Sequence, residues 1–337
     1  MKKTGRLATC LAAMLMTFGA ASAQAKVDQS YILATASTGG TYYPVGVALA
    51  TLTKVKLQPK KGFSLSAISS AGSGENVKLL RDNEAQFAIM QGLYGAWAAN
   101  GEGRLKNTGP QKHLSSITML WQNVEHFVIK SDLVKTGTVA DLGDFNNRKF
   151  SIGKRNSGTE GSGRQILSGL NIDPDTFKLA YMGYGASADA LMNGTVSGMN
   201  IPAGVPVGAV TKAFAKDGGD LTILSFTDEQ MQKANGGYQL WTRYVIPAGT
   251  YPDQKEAVQT IAQPNFLAAR SDLDDETVYL LTKTIYENLP FLKGIHKATT
   301  AMSLEKAIAG LPLPLHPGAA RYYREQGIDV PEHLTAN

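Results

Sequence analysis

Three times in this chain a short strand-like run leads into a loop of glycines and hydroxyls that opens a helical pattern, and few architectures accommodate that repetition. Residues 31–36 read as a strand, STGGTYYP as the loop, and 44–52 as a helix with Pro44 in the first turn, where a missing N–H costs nothing. Residues 63–68, the Ala71-Gly72-Ser73-Gly74 turn and a helix with Val77 and Leu80 on one face repeat the unit. Residues 149–153 and Ser157-Gly158-Thr159 open it again. Strands alternating with helices in this way pack as mostly parallel, doubly wound sheets.

The alternation restarts after strand-like runs at 117–120 and 126–129, which predicts a second lobe over 129–246. Residues 265–269 read as a buried strand that rejoins the first sheet, so the first lobe is expected from 26–128 and 247–337. Two adjacent crossings make a hinge. The expected fold is therefore α/β, two doubly wound lobes joined by a hinge, and roughly 310 residues beyond the leader suit two cores better than one.

That leader is read at residues 1–25. Lys2, Lys3 and Arg6 precede an apolar run over 7–18, and Ala21, Ser22 and Ala23 fit a small-residue cleavage pattern, with cleavage after Ala23 or after Ala25. Export to the periplasm follows as an expectation. The single cysteine, Cys10, falls inside the leader, so no disulfide, cysteine nucleophile or cysteine-ligated metal is expected beyond it. Setting the three leader cations aside leaves 30 Lys and Arg against 28 Asp and Glu, a balance that argues against a nucleic-acid partner.

Each glycine loop is a candidate anion site, because a helix N-terminus presents unpaired N–H groups and the positive end of its dipole, and glycine lets a ligand come close. Any one of them alone also matches a well-capped tight turn. None is a nucleotide fingerprint: Gly153 to Gly158 has P-loop spacing, but Thr159 stands where the lysine belongs. No serine sits in G-x-S-x-G, the five histidines are scattered, and no metal-ligand spacing occurs, so no catalytic residue, metal or cofactor is assigned. Lys154 and Arg155 add positive potential beside the Ser157 loop or form an exposed charged turn. Tyr42 is the aromatic expected at the pocket.

The segments STGGTYYPVGVALA, SSAGSGENVKLLRDNEAQFAIMQ, NSGTEGSGRQIL, AGVP and PLPLHPGAARYYREQG resemble, in that order, the motifs of the TAXI family of TRAP-transporter solute receptors. The resemblance implies a type II periplasmic-binding-protein fold, a TRAP membrane permease as partner, and a small carboxylate ligand such as glutamate, 2-oxoglutarate or a related dicarboxylate. It places Ser37, Thr38, Gly40, Thr41, Tyr42, Ser73 and Gln91 on one side of the cleft. Ser157, Gly158, Thr159, Ala203, Gly204 and Val205 fall on the other. Two positions depart from the family: Gln91-Gly92-Leu93 stands where Gln-Ser-Asp is frequent, and Ser197 where an aspartate is frequent. A sensory subunit that presents its ligand to a membrane receptor kinase, or a serine hydrolase, are the alternative functions.

Overall fold

The computed structural model describes residues 29–335; the leader expected at 1–25 lies outside them. The strands are β1 (Gln29–Ala34), β2 (Phe63–Ile68), β3 (Phe87–Gln91), β4 (Leu114–Val124), β5 (Phe127–Lys130), β6 (Lys149–Ser151), β7 (Lys178–Ala180), β8 (Gly198–Asn200), β9 (Leu221–Ile223), β10 (Thr242–Ile246) and β11 (Val258–Arg270). Helices α1 (Tyr42–Lys56), α2 (Gln58–Lys61), α3 (Ser73–Arg81) and α4 (Gly92–Asn100) belong to the first half. In the middle of the chain lie α5 (Gly158–Gly169), α6 (Tyr184–Met192), α7 (Gly208–Asp217) and α8 (Asp228–Asn235). The last are α9 (Asp275–Glu287), α10 (Leu289–Ile295) and α11 (Pro317–Glu325).

Two sheets result. In the first, β1 runs parallel between β2 and β3, with Leu33 beside Ala67 and Phe87, and β11 runs antiparallel to β3, β4 and β10. In the second, β6 lies parallel between β7 and β8, and β5 lies antiparallel between β8 and β9. The orders β2-β1-β3-β11 and β7-β6-β8-β5 are equivalent, a repeat in space that no repeat in sequence announces. Both have three parallel strands, then an antiparallel one. In open α/β sheets ligands collect beyond the carboxyl ends of such strands, so here both carboxyl edges feed one cleft.

The lobe boundaries read from the sequence shift. β5 begins at Phe127 and already belongs to the second sheet, while β10, at the end of the expected second lobe, hydrogen-bonds to β11 in the first. An exposed-edge strand such as Thr242–Ile246 carries an alternating pattern that fits either sheet equally well. The first crossing is compressed into Glu125 and His126. The Glu125 backbone N–H donates to Ile261 of β11, and the His126 carbonyl accepts from Ile201 beyond β8.

The C-terminal helix latches the first lobe. His316 caps α11, its Nδ1 accepting from the Gly318 N–H at 3.2 Å while Nε2 donates to the Leu273 carbonyl at 3.1 Å. Pro317 takes the first helical position, and Tyr323 donates to the Ile117 carbonyl of β4 at 2.9 Å. Gly318 lets α11 meet α9: a Cβ there would stand 2.1 Å from the Asp275 carbonyl oxygen. Gly318→Ala is therefore expected to lower unfolding stability by about 1–3 kcal/mol, the usual cost of overpacking a tight contact, read as an earlier urea midpoint.

Candidate ligand-binding cleft

The residues that line the cleft come from the first turns of helices. α1, α3 and α6 start behind Thr41, Gly72 and Gly183 without a side-chain cap of their own, and groups of the opposite lobe take up some of their leading N–H groups: the Tyr184 N–H donates to Ser37 Oγ at 3.1 Å and the Glu75 N–H to the Asn156 carbonyl at 2.9 Å. α5 starts behind Ser157, whose Oγ accepts from the Glu160 N–H at 3.0 Å. α1 and α3 follow β1 and β2; α5 and α6 follow β6 and β7. The positive ends of four helices thus converge from two lobes.

Between them lies a cavity of about 30 Å³, lined by Ser37, Thr41, Tyr42, Ser73, Gln91, Asn123, Lys154, Ser157, Thr159 and Tyr184 together with small backbone segments. That is room for roughly two water molecules. Around it the lobes bond directly. Thr41 Oγ1 donates to the Gly204 carbonyl at 3.0 Å, Gln91 Nε2 to the Gly158 carbonyl at 2.8 Å and Tyr94 to the Ser157 carbonyl at 3.2 Å. The Glu75 and Ala209 N–H groups reach the Asn156 and Gly39 carbonyls at 2.9 and 3.2 Å. At the rim Arg104 Nη2 meets Glu160 Oε1 at 2.8 Å. This is a closed arrangement, and a solute larger than the cavity enters only when these bonds part.

Side chains inside the cleft hold one another in place. Asn123 Nδ2 donates to Gln91 Oε1 at 3.1 Å, so Gln91 is oriented to bridge the lobes through its other amide atom. The Tyr184 hydroxyl donates to the Pro202 carbonyl at 2.7 Å, which leaves Thr159 Oγ1, also 2.7 Å away, as a donor to it. Tyr42 donates to Asn265 Oδ1 of β11. Burial holds the Tyr42 and Tyr184 hydroxyls above their ordinary range, so both act as neutral donors. Lys154, half-buried, lies 3.5 Å from the Ser70 carbonyl and is the cation of the lining.

Of the residues expected at the cleft, Ser37, Gly40, Thr41, Tyr42, Ser73, Gln91, Ser157, Gly158, Thr159 and Ala203 line the cavity together. Thr38, at the loop tip, is exposed and does not. Gly204 reaches the site only through its carbonyl, and Val205 faces a neighbouring groove with Trp121, Tyr244 and Lys297. Gly183 and Tyr184 were legible but missed, since MGYG follows a strand pattern and precedes a helix as the other three loops do. Asn123 carries no such signal. Gly92, at the first departure from the family pattern, is glycine because a Cβ would press on Leu240 and Pro264, and Leu93 is buried in the core. Among the described residues, no histidine, aspartate or glutamate lines the cavity, and no group of three metal-ligating side chains occurs. No described helix is long and apolar enough to cross a membrane.

Solved structures share this architecture at low identity. PhnD1 from Prochlorococcus marinus, in complex with methylphosphonate, is 14% identical with a TM-score of 0.51, covering 88% of this chain and 98% of its own. The periplasmic binding protein BugD is 14% identical with a TM-score of 0.51, covering 89% and 94%. A binding protein component of an ABC phosphonate transporter from Pseudomonas aeruginosa is 12% identical with a TM-score of 0.50, covering 80% and 78%. The likeness is one of fold, that of two-lobed periplasmic binding proteins. The model of the NMT1-like family matches residues 33–327, and with most of its length matched, the chain belongs to the NMT1-like family.

Proposed function

We propose that this chain is a periplasmic solute receptor of an import system, closing its two lobes on a small anion and delivering it to a membrane transporter. The observation that carries this reading is the convergence of four helix N-termini and Lys154, from both lobes, on one enclosed cavity. Such a site offers N–H and hydroxyl donors and positive potential, and few acceptors for a cation. The phosphonate named with two of the structural neighbours is likewise a small oxyanion.

Within that class we assign a TAXI-type receptor working with a TRAP permease, on the strength of the motifs at 37–50, 156–167 and 312–327, and a carboxylate as the ligand. With no carboxylate in the lining and Leu93 at the position where the family often carries an aspartate, an amino group on the ligand has no counter-charge. A 2-oxo or simple dicarboxylate fits better than an amino acid.

The test is a thermal-shift screen of ligand-stripped protein against 2-oxoglutarate, C4 dicarboxylates, glutamate, methylphosphonate and neutral and cationic controls, since a solute that binds only the native state raises Tm. A shift by one or more 2-oxo or dicarboxylates, lost in Ser157→Ala, is the expected result. Shifts by methylphosphonate alone would replace the carboxylate assignment, and shifts only by neutral or cationic solutes would overturn the anion reading.

A further inference from the structure

The first crossing carries an ionisable side chain where a hinge can least accommodate a charge. Glu125 is fully buried. Its backbone is fixed to the first lobe, the N–H donating to Ile261 and the carbonyl accepting from Thr260 Oγ1 at 2.8 Å. His126, the next residue, is fixed to the second lobe through Ile201. At this crossing the pivot is therefore close to a single peptide.

The Glu125 side chain faces Ser162 of α5 and Asn200 of β8 from the second lobe, Gln263 of β11 from the first, and Trp241 from the segment between α8 and β10. Gln263 already uses its oxygen on the Leu93 N–H, so its amide nitrogen is what remains for Glu125. Neither carboxylate oxygen closes a hydrogen bond of ordinary geometry, and the facing atoms of Ser162, Trp241, Asn200 and Gln263 are equally unpartnered. Burial makes this carboxylate costly as an ion, and the four nearby donors, which favour the ionised form, offset only part of that cost. The titratable groups that feel its charge are the Tyr42 and Tyr184 hydroxyls, both lining the cavity. The His126 ring turns away, to the Val124 and Ile201 carbonyls and to Tyr251.

We propose that Glu125 is a positioning residue that makes lobe closure, and with it capture of an anion, proton-linked: the closed state holds the carboxyl neutral, and its ionisation favours the open state. The capture half rests on the receptor reading above, whereas the closure half does not. An anion in a cavity bordered by the same two tyrosines adds like-charge repulsion to the ionised form, so capture and proton uptake reinforce each other.

Burial pushes the Glu125 carboxyl up to about 7 in the closed arrangement, whereas a solvated glutamate titrates at about 4.3. The sign follows. Below the lower value both states are protonated and closure is at full strength. Between the two the closed-to-open ratio falls about tenfold per pH unit, and above the higher value it is flat, roughly 500-fold below its maximum.

Interlobe fluorescence transfer on solute-free protein tests this directly. Dyes are placed at Lys61→Cys on α2 and Lys216→Cys on α7 in a Cys10→Ser background, and the ratio is followed from pH 5 to 8.5. The expected result is closure that weakens toward pH 7 and then levels, closure at every pH in Glu125→Gln, and a levelling point moved to higher pH in Gln263→Leu, which takes away a donor to the ionised form. A flat wild-type profile overturns the proposal, as does a Glu125→Gln profile that keeps the wild-type slope or a Gln263→Leu levelling point that stays in place. Because no solute is added, the outcome is separate from the receptor reading. Proton-linked closure in a protein that no screened anion stabilises would keep the hinge device and remove the receptor, and anion binding with pH-independent closure would do the reverse.

Discussion

Gly74→Ala is expected to leave both lobes folded yet hold them apart, lowering affinity for whichever anion the thermal screen identifies by at least about 100-fold, or roughly 2.7 kcal/mol. Gly74 is the second residue of α3, and a Cβ there would stand 2.4 Å from the carbonyl oxygen of Asn156, in the opposite lobe, and 3.1 Å from the Tyr94 ring. The first neighbour is backbone and cannot swing aside, so only lobe separation relieves the contact. Separation also breaks the bond from the Glu75 N–H to that same carbonyl and, through the rigid lobe, the Gln91 and Tyr94 bonds beside it. Within its own helix alanine is favoured over glycine by about 1 kcal/mol, so Tm without ligand should hold or rise. Gly185→Ala, on α6 at the same cleft, is the control, because its Cβ meets nothing within 4 Å. Calorimetry and small-angle scattering should show an open, weakly binding Gly74→Ala protein and an unchanged Gly185→Ala protein. Equal affinity in the two would mean that this closed arrangement is not the one that holds the ligand.

What the sequence made legible here was local, and what it hid was relational. The strand, glycine loop and helix units at Ser37–Tyr42, 71–74 and 157–159 were readable because each obeys rules of backbone geometry and capping that act within ten residues. The same rules applied to Met182-Gly183-Tyr184 would have found the fourth helix N-terminus, which is the one whose tyrosine organises Thr159 and Pro202. Asn123 and Glu125 sit in a stretch that reads as two strands in succession. Nothing local marks the break between them as a pivot, and the partners that give these side chains their roles lie 32 residues away at Gln91 or on three other elements. The equivalence of the two sheets was hidden for a related reason: strand order is a property of pairing, and pairing of β1 with β3 or β6 with β8 leaves no trace in either segment's own pattern. The departure at Gly92 and Leu93 shows the reverse case, in which the sequence flagged a difference and packing against Leu240 and Pro264 supplied its cause.

Lys154→Met should weaken binding of the same anion by roughly thirty- to several-hundred-fold, corresponding to about 2–4 kcal/mol for removing one partner of a charged contact in a water-poor site. The helix N-termini would remain, and partial charges at the ends of α1, α3, α5 and α6 each contribute only about 0.3–1 kcal/mol. Lys154 is the full charge among the lining residues, and it stands on the loop between β6 and α5, where closure carries it toward Ser70 in the opposite lobe. Its contribution is therefore made mainly in the closed state, which makes it a determinant of closure by ligand as well as of affinity. Methionine keeps most of the stem's apolar contact and removes the charge, so the unliganded Tm should move little. The discriminating readout is salt dependence. If Lys154 supplies the attraction, binding by the wild type should weaken with ionic strength more steeply than binding by Lys154→Met. Identical salt slopes, with affinity lost by less than threefold, would mean that backbone N–H groups and hydroxyls alone hold the anion, and would move the specificity of the site from charge to donor geometry.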